Sequence, residues 1–330
     1  MVRNFYARIH KKQLSKYKHP TPKRPQHAPY TCAPKTYGKS AQDPITTDNS
    51  PPAGQEGITH VQKVVGSILY YARSVDSTPL VALNTLTSKH AHATEKTIKN
   101  MNHMLDYLAT NPNAKVRFYP SDMILNVHSD ASYLSAKDAK SRAAGHFFLG
   151  WEPDDKQPIR LNGPILTLCK ILKFVAASAV EAELGAMFLN AKEAKIIRLT
   201  LEEIGHPQPP TPMHCDNATA AGIANNTMKR QRSRSMEMRY FYICDLVKHG
   251  IVNVKWHPGQ ENLADYASKH HDAKHHKTVR PLYLHKINSP RELLQAMTPR
   301  VLRGCVGTKL GGCPRPLRGL DPSLVPEPRT

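Results

Sequence analysis

"MILNVHSDASYLSAKDAKSRAAGHFFLG", residues 123–150, reads as two apolar strands, 123–130 and 143–150, joined by a polar loop. Ile, Leu, Val and Phe mark the strands, and the Ser, Asp and Lys between them mark the turn. The first strand ends on Asp130, a carboxylate that needs a partner if the strand is buried. Outward from this pair, a third strand is expected around 165–174, followed by a long helix in "SAVEAELGAMFLNAKEAKIIRLTLEEIG" (178–205). A short strand then enters "MHCDNATAAGIANN" (213–226). A helix over 233–249, the strand "IVNVKWH" (251–257) and a last short helix in "ENLADYASKH" (261–270) complete the series. Three hairpin-like strands followed by strands alternating with helices predict an α/β fold, a mixed five-stranded sheet flanked by helices.

Four segments emerge. Residues 1–56 are basic and proline-rich, with few large apolar residues at any period, and are expected to be largely disordered. Residues 57–115 form a helical module in which Val61, Val64, Val65, Ile68 and Leu69 fall at helical spacing. Residues 116–286 hold the α/β domain. Residues 287–330, rich in Pro, Gly and Arg, read as a disordered tail.

No apolar run is long enough to span a membrane and no apolar signal core opens the chain, so an intracellular protein of the cytoplasm or nucleus is expected. The six cysteines form no CxxC pair, which fits neither a disulfide framework nor a zinc ribbon. The net charge is +20, and it is clustered: residues 1–26 carry eight Lys/Arg and no acid. A second block, "KRQRSRS" (229–235), holds Lys229, Arg230, Arg232 and Arg234. Such blocks suit phosphate contacts, although a solvated face or a targeting tail has the same composition.

Against this basic background the acids stand out. Asp216 repeats the setting of Asp130, an aspartate at the end of a short strand, and Asp265 lies in the last helix. If the two strands are parallel neighbours, both aspartates emerge at one carboxyl edge of the sheet. Clustered carboxylates repel unless cations neutralise them, and oxygen-only ligation favours Mg²⁺ or Mn²⁺. A strand-end aspartate taken alone is as well explained by a turn or a helix cap. The long helix offers Glu181 and Glu183, both at the margins of its stripe Val180, Leu184, Met187, Ala191, and periodicity leaves both open.

The set "HSDASY", "EAELGA", "HCDNAT" and "WHPGQENLADYASK" resembles the ribonuclease H domain of copia-type LTR-retrotransposon Pol polyproteins. Upstream, "KHPTPKRPQHAPY" and "VVGSILYYARSVD" are similar to the segment linking the reverse transcriptase palm to that domain. Together the matches cover about residues 10–295. The resemblance implies a ribonuclease H-like fold and two metal ions, Mg²⁺ or Mn²⁺, held by Asp130, Glu183, Asp216 and Asp265. It also selects Glu183 over Glu181, which then reads as a solvated flank. The implied reaction is hydrolysis of the RNA strand of an RNA–DNA hybrid, one ion activating water and the other stabilising the leaving oxygen. His257 matches a mobile histidine found before the last aspartate in cellular ribonucleases H, and a strand-end cap beside Pro258 explains it equally.

The spacing from Asp216 to His257 leaves no room for the basic substrate-handling helix of some cellular enzymes, and "KRQRSRS" is the candidate substitute. "KHHDAKHH" (269–276) has spacings that suit zinc on a helix, but no cysteine or acid pattern completes it, which leaves phosphate-facing or solvated histidines. No Tyr-x-Asp-Asp motif is present, so no polymerase activity is expected, and the palm region is a candidate partner absent from this chain. The alternative is a catalytically silent nucleic-acid-binding remnant. An integrase or transposase is disfavoured because those place their glutamate last.

Overall fold

The computed structural model describes residues 14–31, 48–152, 159–228 and 237–284. Three helices come first: α1 (Gly54–Ser74), α2 (Leu80–Thr87) and α3 (Glu95–Thr110). Val61, Val64, Val65 and Ile68 of α1 bury the predicted stripe against Leu83 and Leu86 of α2 and Met101, Met104, Leu105 and Leu108 of α3. Thr94 starts α3 with a reciprocal capping box to Thr97, which satisfies donors that a helix end leaves open. Leu69, expected in the stripe, is only partly buried.

Residues 14–31 depart from the disorder expected of the N-terminal segment. The Tyr17 hydroxyl donates to the Lys63 carbonyl at 2.9 Å, His19 meets Asp106 at 2.8 Å, and the Gln26 amide donates to Thr110 Oγ1 at 2.9 Å. Composition misled because a proline-rich strap need not form its own core when it lies on a neighbour's. The expected tail at 287–330 lies outside the described residues.

The sheet has the order β3-β2-β1-β4-β5. β1 (Ile124–Ala136), β2 (Lys140–Gly150) and β3 (Pro164–Ile171) run antiparallel, while β4 (Thr211–Cys215) lies parallel to β1 and β5 (Val252–Trp256) parallel to β4. This is the predicted mixed five-stranded sheet. One boundary is corrected: β1 does not stop at Asp130 but continues to Ala136. Its antiparallel ladder with β2 reaches Ser132, whereas its parallel pairing with β4 covers Val127 and His128 alone. Asp130 is therefore interior to the strand yet beyond the end of one of its two ladders.

Alternation sorts β1 onto two faces. Leu125 and Val127 join Phe147 beneath α4 (Ala179–Glu203), where Leu184, Met187 and Ala191 form the core with α5 (Ala218–Ala224) and α6 (Glu237–Lys248). The other face carries Phe148 and Ala144, covered by Leu263, Ala264, Tyr266, Ala267 and Tyr283 from α7 (Asp265–Ser268), α8 (Ala273–Tyr283) and the turn before them. From α8 the buried Arg280 reaches back to the helical module. Its guanidinium clasps the Asp76 carboxylate at 2.6 and 3.2 Å and also donates to Thr78 Oγ1 and the Tyr107 hydroxyl. Among the described residues no helix is long and apolar enough to cross a membrane.

Candidate metal centre

β1 and β4 carry the same short pattern, His128-Ser129-Asp130 and His214-Cys215-Asp216. His128 pairs with His214 in the parallel ladder, so each aspartate lies two residues further on, at one level and on one face. The ladder has ended there, which leaves a notch between the strands. Glu183 enters the notch from the start of α4, where Ser178 caps the helix by accepting from the Glu181 amide at 3.2 Å. Its Oε1 accepts from the Ala131 amide at 3.1 Å, tying the helix to the strand beside Asp130. Asn190, two turns on, donates to Ser129 Oγ and to the Ala144 carbonyl, both at 2.9 Å, and fixes the same register.

Side-chain oxygens of Asp130, Glu183 and Asp216 come within 4.8 Å of one another. Asp130 Oδ1 and Glu183 Oε2 are buried without a hydrogen-bond partner among the described residues. Burial, with Asp265 and Asp216 adding repulsion, raises the Asp130 carboxyl to about 6 despite Lys269 and Ser268 opposing it. Burial, then Asp130 and Asp216, pushes Glu183 well above its ordinary value. Two oxygens with nothing to accept from, in a three-carboxylate notch, fit a hard divalent cation.

Asp265 stands outside this trio. It opens α7, and Lys269, one turn later, pairs with its Oδ1 while lying 3.5 Å from Asp130 Oδ2. Ser268 Oγ donates to the same Asp130 oxygen, and His271 Nε2 lies 3.6 Å from Asp265 Oδ2. Lys269 thus bridges the predicted fourth acid to the first. Burial works against the ammonium, but Asp130 and Asp265 outweigh it and hold the charge on.

Glu181, expected as a solvated flank, is buried, and its carboxylate accepts from the Ala177 amide at 2.7 Å. It serves the helix N-terminus, where backbone donors and the dipole favour a carboxylate. His257 Nε2 lies 3.2 Å from Glu261, and its ring sits edge-on to His128 and His214 with centroids 5.8 and 5.4 Å away. Burial lowers its pKa, against Glu261. The turn after it presses Gly259 against Asp216: an added Cβ would meet Asp216 Oδ2 at 2.7 Å. His276 of the histidine cluster is buried rather than solvated, bonded to Tyr266 at 2.5 Å and Tyr30 at 2.9 Å. Lys229, Arg230, Arg232 and Arg234 lie outside the described residues. Sequence reasoning passed over Lys269, Ser268 and Asn190; of these, only Lys269 left a signal, its four-residue spacing from Asp265.

The chain is 28% identical over 166 residues to the retrovirus-related Pol polyprotein from transposon TNT 1-94 of Nicotiana tabacum. That match covers 50% of this chain and 12% of the relative, so the chain spans a small part of the polyprotein's length. The likeness bears out the resemblance to copia-type Pol polyproteins. No family model matches. Among solved structures it is similar to the N-terminal RNase H domain of Rv2228c from Mycobacterium tuberculosis, at 9% identity and TM-score 0.32 over 44% of this chain and 91% of that one. It is also similar to LC11-RNase H1 in complex with RNA/DNA hybrid, at 10% identity and TM-score 0.31 over 43% and 91%. The prototype foamy virus protease-reverse transcriptase matches at 14% identity and TM-score 0.29 over 71% of this chain and 29% of that one. The strand order and register are those of the mixed five-stranded sheet flanked by helices that the resemblance implied.

Proposed function

We propose that this chain is a ribonuclease H-type nuclease that hydrolyses the RNA strand of RNA–DNA hybrids within a larger retroelement polyprotein. The observation that carries this reading is the notch where Asp130, Glu183 and Asp216 converge with two buried oxygens unpartnered. Asp130, Glu183 and Asp216 would hold a divalent ion, Mg²⁺ or Mn²⁺, with Asp265 completing a place for a second. Bound there, such ions supply an acidified water and charge stabilisation for an in-line phosphodiester displacement. Asp130 would be the shared acid, since its carboxylate belongs to the trio and also lies 3.5 Å from Lys269, which pairs with Asp265. His257, whose pKa burial lowers, can accept a proton at the strand end, and Glu261 orients its ring. Lys229, Arg230, Arg232 and Arg234 supply phosphate contacts to the hybrid.

Purified protein is incubated with a hybrid labelled on either strand, with Mg²⁺ or Mn²⁺, beside Asp130→Asn. Cleavage of RNA alone by the parent, reduced at least a hundredfold in the variant, supports the assignment. Salt-dependent hybrid binding without cleavage by either protein replaces it with the binding-remnant reading.

A further inference from the structure

Lys269 occupies the position between the first and fourth acids. Its ammonium pairs with Asp265 Oδ1 and lies 3.5 Å from Asp130 Oδ2, the side of Asp130 that also takes the Ser268 hydroxyl. The other Asp130 oxygen, Oδ1, is the unpartnered one, as is Glu183 Oε2. The two flanks of Asp130 therefore differ: one is already served by a cation and a donor, the other is not.

We infer that Lys269 is a built-in cation of this centre, so that the chain free of nucleic acid takes one divalent ion, at Asp130, Glu183 and Asp216, and is closed to a second. The inference rests on the metal-centre reading above. One ammonium and one divalent ion offset three of the four carboxylate charges, enough to relieve the repulsion that burial intensifies. A second ion between Asp130 and Asp265 must displace the ammonium, because both need the same carboxylate oxygens. Lys269 can give way: its side chain is 37% exposed and sits on four flexible carbons. Ser268, which is fully buried and donates to Asp130 with the Asp265 carbonyl oxygen 3.1 Å from the same hydroxyl, holds α7 still while it does.

The number of Mn²⁺ ions bound per full-length chain, measured by equilibrium dialysis without nucleic acid, tests this. One ion in the parent and two in Lys269→Met is the expected doubling, with Lys269→Arg remaining at one. Lys269→Gln serves as a second uncharged variant, with circular dichroism confirming the fold of each. Two ions in the parent, or an equal number in parent and uncharged variants, overturns the inference and leaves the metal centre standing. No ion in any of them overturns the metal centre, and this inference with it.

Discussion

Replacing Arg280 by Met should separate the helical module from the sheet energetically. The Arg280 guanidinium meets Asp76 at 2.6 Å through one nitrogen and 3.2 Å through the other, with side-chain exposures of 7% and 0%. Methionine fills similar volume but leaves the Asp76 carboxylate buried and uncompensated, for which about 3–5 kcal/mol is the usual cost. Thr78 keeps a hydrogen bond to Asp76 and one to Tyr107, so the loss should fall toward the lower end. At 2–4 °C per kcal/mol for a domain of this size, the melting temperature drops by roughly 6–20 °C. The double variant Asp76→Leu/Arg280→Met removes both charges and should regain most of the loss, since apolar replacement of a buried pair is often neutral. Urea unfolding is followed by fluorescence of Trp151 and Trp256, which both belong to the α/β part, and by circular dichroism, which also sees α1–α3. Coincident transitions in the parent and split ones in Arg280→Met are expected. A loss under about 1 kcal/mol, or additive costs in the double variant, would refute the argument.

Glu183→Gln should abolish Mn²⁺ binding and hybrid cleavage, whereas Glu181→Gln should keep both and lose about 1 kcal/mol of stability, as for a weakened helix cap; equal losses of binding would reverse the assignment. His276 is held neutral, at about 3, first by burial and then by His271, His275 and Arg280. Its folded-state value lies below the unfolded one, so its stabilisation is complete above pH 6.5 and fades as pH falls toward 3. The stability gap between parent and His276→Gln should therefore narrow from pH 7 to pH 4; a constant gap contradicts it. Gly145→Ala would place a Cβ 2.1 Å from Asn190 Oδ1, pushing α4 off β1, and should cost about 1–3 kcal/mol in denaturant unfolding together with weaker Mn²⁺ binding. Unchanged metal affinity would show that Asn190 does not set the position of Glu183.

The sheet was legible because its strands carry their own signals, the apolar runs of 123–150 and the strand-helix alternation after Glu183. The repeated strand-end aspartate placed two acids at one edge once parallel pairing was assumed, and the register confirms that assumption. Three features escaped. Residues 14–31 have few apolar residues because they lean on α1 and α3 instead of on themselves. Glu181 reads as a solvated flank once the resemblance selects Glu183, and periodicity, which leaves both open, ignores the backbone donors at the helix start. Lys269 leaves in the sequence only its four-residue spacing from Asp265, and its role depends on α7 bringing Asp265 beside Asp130. The strap and the Lys269–Asp130 contact depend on partners far along the chain, whereas Glu181 bonds a backbone donor only four residues away that side-chain periodicity does not register.

The Tyr30 hydroxyl accepts from the His271 amide and meets His276 Nε2, each at 2.9 Å, across separations of 241 and 246 residues. During synthesis the strap leaves the ribosome well before the helix it fastens to. The α1–α3 bundle and the first hairpin can form on the way, since their contacts are local. The flank of the notch bearing Asp265 and Lys269 has no such option, because the support of His271 and α8 arrives last. Closing so long a loop makes this step the slow one. A nascent chain would thus carry a folded scaffold well before it carries a finished carboxylate notch.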